Sequence, residues 1–213
     1  MPAAREQVEK RSALDYFPPH LDYRSLTEAA DHCKGCDIYL NATQAVFGEG
    51  DLHAPVMFVG EQPGDEEDLK GHPFVGPAGR LFDKALVEAG IDRSHTYVTN
   101  AVKHFKWKPA GKRRLHERPK ASEVAACRPW LGAEITIVKP HVLVLLGATA
   151  AQSLLGRDFR VTQLRGQWLE SDLAKSVIAT VHPSSVLRAP NAEAREQRYR
   201  EFVYDLIVVA ERL

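Results

Sequence analysis

The stretch PVMFVG, residues 55–60, is a run of apolar side chains that ends at a glycine. A short continuous apolar run of this kind is typical of a strand buried on both faces of a parallel sheet. Three later stretches complete the predicted core strands: TYVTN at 96–100, HVLVLLG at 141–147 and SVIATVHP at 176–183. The sequence therefore predicts four strands at the centre of the molecule.

Segments with helical apolar spacing separate these strands. PAGRLFDKALVEAG (77–90) has Pro77 near its start and Gly90 as a stop signal. Further helices are predicted over 26–33, from Ser122 as N-cap to about Val138, over 148–155 and near the carboxyl end, whereas 160–170 is predicted as an irregular strand pair. Alternating strands and helices predict an α/β protein, with a mostly parallel sheet covered on both faces.

Length and composition favour one domain over residues 1–213, with residues 1–25 as a poorly specified N-terminal extension. The amino terminus has no apolar targeting segment, and the run VLVLLGATAA is shorter than the roughly 18 residues that a membrane span needs. We therefore expect a soluble, cytoplasmic, monomeric protein that has no membrane partner.

Positive charge is concentrated in one segment, although the formal net charge of the chain is zero. Residues 101–120 hold eight Lys and Arg against Glu117 alone, which gives +7 here and −7 elsewhere. A focused positive patch suits a phosphate backbone, and a flexible solvated loop is the alternative. Within it, AGKRRLHERP (110–119) places His116 among cations, as part of a solvated loop, a phosphate clamp or a clamp with a reactive imidazole.

The chain has three cysteines, and Cys33 and Cys36 form a C-x-x-C pair. Together with Cys127 they are one thiolate short of the ligand set of an iron-sulfur cluster, and His104 is a candidate fourth ligand. A zinc site with three Cys and one His fits the same spacing, and an unliganded buried Cys127 is the third alternative.

Three segments begin where a predicted strand ends: GEQPGDEED, TNAVKH and VHPSSVLR. Ligands of parallel α/β sheets bind beyond the carboxyl ends of the strands. In the first segment, Glu61 and Asp65 are placed to orient a water molecule or a second catalytic group, and the following Phe74 offers a face on which a base can stack. Glu66 and Glu67 are predicted to be solvated acids.

The other two segments offer groups that recognise a base and a phosphate. Asn100 has an amide that can read a pyrimidine edge, although a strand-end Asn is more often a cap. His182 can donate to an oxygen that becomes anionic, and Ser184 and Ser185 can bond phosphates. The neighbouring Arg188 is a further candidate DNA contact.

Several ordered motifs together resemble the uracil-DNA glycosylase superfamily, most nearly its iron-sulfur branch and, within it, the group called uracil-DNA glycosylase X. They are CKGC, VFGEG, GEQPGDEEDLKGHPFVGPAGR, YVTNAVKHF, LLGATAA and VHPSSVLR, so the resemblance runs from about residue 30 to the carboxyl end. It implies an α/β/α sandwich around a four-stranded parallel sheet, activity on uracil in DNA, and a structural 4Fe-4S cluster.

The resemblance also assigns roles to individual residues. Glu61, Gln62 and Asp65 fall on the first motif, Phe74 on the stacking aromatic, Asn100 on the uracil-reading amide and His182 on the leaving-group loop. His104 stands where conventional members of the iron-sulfur branch carry a cysteine.

In the group that this chain resembles, the histidine of an inserted loop attaches covalently to the DNA, and that histidine matches His116. Lys112, Arg113 and Arg114 would grip phosphates of a uracil-containing strand, single-stranded DNA being favoured, and would favour the uncharged imidazole. The alternatives are a turnover glycosylase that releases a free abasic site and a non-catalytic iron-sulfur module that binds DNA.

Overall fold

The computed structural model describes residues 11–213. Within this range the strands are β1 (Glu49–Gly50), β2 (Val56–Gly60), β3 (Thr96–Asn100), β4 (Trp107–Ala110), β5 (Arg113–His116), β6 (Val142–Leu146), β7 (Trp168–Leu169) and β8 (Ser176–Thr180). The α-helices are α1 (Tyr23–Asp31), α2 (Asp65–Lys70), α3 (Pro77–Glu88), α4 (Ala121–Val138), α5 (Ala148–Leu155), α6 (Val161–Leu164), α7 (Pro183–Leu187) and α8 (Ala192–Ala210). Short 3₁₀ helices lie at Ala13–Tyr16, Asp37–Leu40 and Arg93–His95.

The predicted four-stranded parallel sheet is confirmed as the centre of a larger sheet. Strands β3, β2, β6 and β8 pair in parallel in this order, and β1 and β7 add short antiparallel edges. Gly60 pairs with Asn100, and Leu146 pairs with Thr180, so the four strands end close to one another. All the segments that follow these strands therefore leave the sheet at the same edge.

Side chains alternate between two apolar layers, as the period of a strand requires. From β2, Phe58 packs with Phe82 of α3 and Phe202 of α8 on one face. Met57, its neighbour, packs on the other face in a cluster that includes Leu131 of α4. The predicted α/β/α sandwich is confirmed, because buried helices cover both faces of the sheet.

A third cluster lies beside the sandwich and contains the amino-terminal part of the described chain. Ala13, Leu26 of α1 and Trp130 of α4 are fully buried in it together. Residues 1–10 of the predicted N-terminal extension lie outside the described residues.

The basic segment forms a β-hairpin, whereas its composition predicted a loop. Ala110 pairs with Arg113 across a two-residue turn, and Gly111 at its first position has φ 60°. A hairpin turn of this length needs a positive φ there, which glycine adopts without strain. Because most side chains of β4 and β5 are exposed, the hairpin lacks the apolar alternation that would have revealed its strands.

Three further predictions are wrong in detail. Residues 160–170 form the short helix α6 followed by β7, because a single helical turn that buries only Val161 has no readable period. Helix α4 begins at Ala121 with Lys120 as its N-cap, because Glu123 accepts the Lys120 N–H. Glu67 is buried, not solvated: its carboxylate accepts the N–H groups of Gly64 (3.1 Å) and Gly76 (2.8 Å) ahead of α2 and α3.

Among residues 11–213, no helix combines the length and the apolarity that a bilayer crossing requires.

Candidate active site

The strand ends bring together four polar side chains that are distant in sequence. Glu61 follows β2, Asn100 ends β3, Thr149 lies in the first turn of α5 after β6, and His182 follows β8. This edge is where a parallel sheet places its ligand sites. The β4–β5 hairpin adds a fifth group, because His116 at its end reaches back to Glu61.

Glu61 uses its two carboxylate oxygens for two different partners. Nε2 of His116 lies 3.2 Å from Oε1, and the Thr149 hydroxyl donates to Oε2. Burial alone would raise the pKa of Glu61, but the hydrogen bonds from His116 and Thr149 outweigh it, so this pKa lies below its ordinary value. Glu61 is therefore ionised, and it holds a half-exposed imidazole.

The geometry around His182 determines its tautomer. The backbone N–H of Ser184 donates to Nδ1 at 3.2 Å, so this nitrogen carries a lone pair, and the Ser184 hydroxyl also lies 2.8 Å away. Burial lowers the pKa of His182 to about 4, although the charge of Glu61 opposes this effect. The ring is therefore neutral at physiological pH, and its proton is on Nε2, ready to be donated to a ligand.

Phe74 and Asn100 converge on one point above Gly60. A Cβ at Gly60 would lie 2.3 Å from Oδ1 of Asn100 and 2.9 Å from Cζ of Phe74, so only glycine leaves room here. The Phe74 ring also faces the His182 ring, with centroids 6.3 Å apart and planes inclined by 29°. A planar ligand can therefore contact an aromatic face, an amide and an imidazole at once.

Phe74 is held in an unusual backbone conformation, with φ 59°. A non-glycine residue with positive φ is uncommon, and strain of this kind often lies at functional sites. Gly79 lets α3 approach closely, because a Cβ there would lie 1.7 Å from the Phe74 carbonyl oxygen. The helix thereby fixes the position of the aromatic side chain.

Asn100 is buried, and its side chain makes no hydrogen bond to any residue between 11 and 213. Its backbone carbonyl accepts Nζ of Lys103 at 2.8 Å. Lys103 in turn forms a fully buried ion pair with Glu134 of α4 and donates to the Thr99 hydroxyl. The backbone at the end of β3 is thus held by the buried Lys103, and the Asn100 amide remains available for a ligand.

Gln62 anchors the base of the hairpin. Its Nε2 donates to the carbonyl oxygens of Lys106 (3.1 Å) and Glu117 (3.2 Å), and its Oε1 accepts the Lys106 N–H at 3.2 Å. These bonds join the residue next to Glu61 to both ends of the segment that carries His116. The predicted substrate contact of Gln62 stays a prediction.

Arg114 ties the hairpin to α2. Its guanidinium donates to Asp65 (2.5 Å) and to the buried Asp68 (2.6 Å), and it lies over the rings of Phe105 and Trp107. The same guanidinium is one of the predicted phosphate contacts. That role and the predicted catalytic role of Asp65 stay predictions.

The positive patch is smaller than the count of charges suggested. Lys103 is buried against Glu134, and Lys106 is mostly buried against Glu123 of α4. Arg114 is neutralised by α2. The exposed cations of the segment that make no ion pair within residues 11–213 are Lys108, Lys112, Arg113, Arg118 and Lys120.

The residues predicted to contact DNA after β8 lie in α7 and at its end. Ser184 contacts the His182 ring, and the Ser185 hydroxyl donates to the His182 carbonyl at 2.8 Å. Arg188 is exposed at the end of the helix. This short helix therefore orients His182, whatever its two serines bind.

The cysteines lie together in the third cluster. Cys33 and Cys127 are buried in it, and the half-buried Cys36 packs against it. The Trp130 indole N–H donates to the Cys33 sulfur and the Lys103 backbone N–H to the Cys127 sulfur, each at 3.3 Å. Burial raises the pKa of Cys127 to about 12. Both buried sulfurs therefore accept a hydrogen bond from an N–H group.

His104, the predicted fourth ligand, is buried but hydrogen-bonds to no residue between 11 and 213. Burial lowers its pKa to about 4, against the charge of Asp68, so the ring is in the neutral form that binds metals. Within residues 11–213, no three His, Cys, Asp or Glu side chains are close enough to hold one metal ion. The 4Fe-4S cluster, the alternative zinc ion and the ligand role of His104 therefore stay predictions.

Thr149 and Arg118 were not predicted as site residues. Nε of Arg118 donates to the Thr149 hydroxyl oxygen at 3.2 Å, and its Nη2 donates to Gln152 at the same distance. Neither residue stands in a pattern that assigns it a role from sequence alone. The motif LLGATAA, which contains Thr149, was the signal that marked this region.

Comparison with known proteins gives consistent results. The profile of the uracil DNA glycosylase superfamily matches residues 47–207. The type-4 uracil-DNA glycosylase of Thermotoga maritima is 42% identical over 171 residues, which cover 80% of this chain and 85% of that protein. Those of Sulfurisphaera tokodaii (36% over 174 residues, 78% and 76%) and Pyrobaculum aerophilum (34% over 185 residues, 84% and 91%) are also similar. The chain belongs to the uracil DNA glycosylase superfamily.

Proposed function

We propose that this protein is a uracil-DNA glycosylase that excises uracil and then traps the sugar covalently through His116. Membership of the superfamily and the similarity to type-4 uracil-DNA glycosylases support uracil excision. The observation that carries the trap is the contact of His116 with Glu61, at the strand ends that also present Asn100 and His182. It puts a nucleophile next to the groups that would release the base.

Base release would begin with a nucleotide that leaves the strand and stacks on Phe74. Asn100 would read the pyrimidine edge with its unbonded amide. As the glycosidic bond breaks, its electron pair leaves with uracil, and Nε2–H of His182 would donate to a uracil oxygen. The sugar is left with positive charge, as in other glycoside cleavages.

The trap would follow from the position of His116. Nε2 of the ring faces Glu61, so in an uncharged ring with its proton on Nε2 the lone pair of Nδ1 would be left for attack. That nitrogen would form a bond to the cationic sugar carbon, and the remaining N–H proton would pass to Glu61. A positioned nucleophile has an effective molarity of order 10⁵ M or more, so it would react with the sugar carbon faster than water does.

Exposed and partly exposed side chains around the site would hold the flanking phosphates, single strands being favoured. Lys112 and Arg113 lie on the hairpin, and Ser184, Ser185 and Arg188 lie around α7. Arg114 would contribute after exchanging its carboxylate partners for a phosphate. The protein would act as a monomer.

A 4Fe-4S cluster would be held by Cys33, Cys36, Cys127 and His104, and zinc is the alternative occupant. The shared burial of the cysteines and their N–H···S bonds support the cluster. It would cross-link the segment after α1, which carries Cys33 and Cys36, to Cys127 of α4, and would take no part in bond cleavage. Iron and sulfide analysis with a visible spectrum tests this assignment, and one zinc per chain without iron would contradict it.

The trap is tested by mixing the protein with a single strand that contains one uracil and running a denaturing gel. We expect a slower protein-DNA band and an equivalent of free uracil. In His116→Ala the band should disappear while uracil release continues, because water reaches the sugar.

The same reaction distinguishes the alternatives when the released uracil is measured beside the gel. A turnover glycosylase would release many equivalents of uracil without a band. A non-catalytic DNA-binding module would bind the strand and release nothing. Loss of uracil release in His116→Ala would assign His116 to an earlier step.

A further inference from the structure

We propose that a groove bounded by Arg118, Arg128 and Arg157 binds phosphates of the DNA strand that flanks the flipped nucleotide. The inference rests on the proposed function, because it assigns a path to the same substrate. Arg118 lies at the end of the basic segment, whereas Arg128 and Arg157 belong to none of the motifs quoted from the sequence.

The groove has a volume of about 730 Å³ and lies between the first half of α4 and α5. Thr149, which contacts Glu61, lines it at the first turn of α5, and Gly156 and Arg157 line it past the end of that helix. At a rise of 1.5 Å per residue, α5 is about 12 Å long. A track of this length has room for two or three phosphates.

The electrostatics of the groove suit a polyanion. No Asp or Glu is among the described residues that line it. Within residues 11–213, neither Arg128 nor Arg157 makes an ion pair, and the side-chain partners of Arg118 are the uncharged Thr149 and Gln152. By contrast, Arg114 and Arg165 each contact two carboxylates. The groove thus collects three cations without a compensating anion.

Continuity with the site favours a DNA strand over a small free anion. Arg118 contacts Thr149, the residue that also holds Glu61, so the positive track begins at the reacting sugar. Apolar side chains, among them Val124 and Leu154, also line the groove and can contact deoxyribose and base faces. A strand that leaves the flipped nucleotide on this side would keep its phosphates over the arginines.

The test measures binding of a single strand whose uracil nucleotide carries a 2′-fluorine, which slows glycosidic cleavage. Arg128→Gln and Arg157→Gln remove one cation each at exposed positions. Arg200→Gln is the matched control, because Arg200 is exposed on α8, which covers the other face of the sheet.

With long flanks on both sides of the uracil, we expect each arginine variant to bind several-fold more weakly at low salt. The slope of log affinity against log salt should fall by about 0.7 for each phosphate that the variant no longer neutralises. Shortening the flank that lies in the groove should weaken DNA binding by the wild type and abolish the difference in affinity between the wild type and the variants. Shortening the other flank should leave this difference in place. Arg200→Gln should match the wild type.

The proposal would be overturned if both arginine variants bound DNA with the affinity and salt slope of the wild type. It would also be overturned if the variants still bound more weakly than the wild type to DNA without either flank. Uracil release from an unmodified strand is measured in parallel. If no protein releases uracil but the flank-dependent difference is present, the proposed function fails and the groove assignment stands.

Discussion

Thr149 donates to Glu61 at the carboxylate oxygen that His116 does not contact. The two bonds fix the carboxylate from both sides, and Arg118 holds the threonine in turn. Since Arg118 follows His116 by two positions, the strand that carries the imidazole is attached to Glu61 both directly and through Thr149.

Thr149→Val should therefore slow formation of the adduct. The variant removes the hydroxyl while keeping the shape of the side chain, and a hydrogen bond to a charged group contributes about 1.5–3 kcal/mol. We expect the rate of adduct formation to fall by about tenfold or more, because Glu61 no longer holds the imidazole in one position. Single-turnover gels give this rate.

Thr149→Ser is the control, because it retains the hydroxyl. It should keep most of the adduct rate, and uracil release should change little in both variants. Equal rates for Thr149→Val and the wild type would remove Thr149 from the positioning of Glu61.

Arg114→Gln should loosen the hairpin from α2. The variant breaks the ion pairs with Asp65 and Asp68. We expect faster amide hydrogen exchange over residues 107–116 and about tenfold slower adduct formation, with uracil release retained.

Arg80→Gln is the matched control. Arg80 of α3 also pairs with an acidic residue of α2, Glu66, but it makes no bond to the hairpin. It should leave hairpin exchange unchanged. A phosphate role for Arg114 would instead appear as a lower salt slope of DNA binding without faster exchange.

The Lys103–Glu134 pair makes a prediction about stability. Both side chains are fully buried, and removing one partner leaves an uncompensated charge. Lys103→Met should lower the free energy of unfolding by about 3–5 kcal/mol, as urea denaturation would measure. Lys103→Met combined with Glu134→Gln should recover much of this loss, and a single variant as stable as the wild type would contradict the prediction.

His182 should make stability depend on pH. Burial lowers its pKa from 6.5 to about 4 in the fold, with Glu61 opposing and Arg188 and His116 adding to the shift. Below pH 6.5 the unfolded chain takes up a proton that the folded chain does not, so stability falls as the pH falls toward 4. Between pH 7 and pH 5 this group should account for about 2 kcal/mol.

His182→Gln lacks this titration, so its urea midpoint should fall less than that of the wild type between the same two pH values. Parallel losses in both proteins would show that His182 is not the group responsible.

Much of the fold follows from patterns that are local in sequence. The buried run at 55–60 and the helical spacing at 77–90 specify β2 and α3 because each element buries a face with its own period. The hairpin and α6 could not be predicted, because they bury too few side chains to show the apolar period of a strand or a helix.

Part of the candidate site follows in the same way. Strand-end residues such as Glu61, Asn100 and His182 were expected at one edge, since parallel strands end together, and the structure places them there. Charge in the basic segment was misjudged, because a count of lysines does not reveal that Lys103 is buried against Glu134.

By itself the sequence determined the order of the four core strands, the edge of the sheet at which polar groups collect, and the family motifs, because each depends on neighbours along the chain. Only the tertiary structure decided which charges cancel, which carboxylate oxygen each partner contacts, and where unpaired arginines gather. Those outcomes depend on distances between residues far apart in sequence, and packing of the helices on the sheet sets these distances.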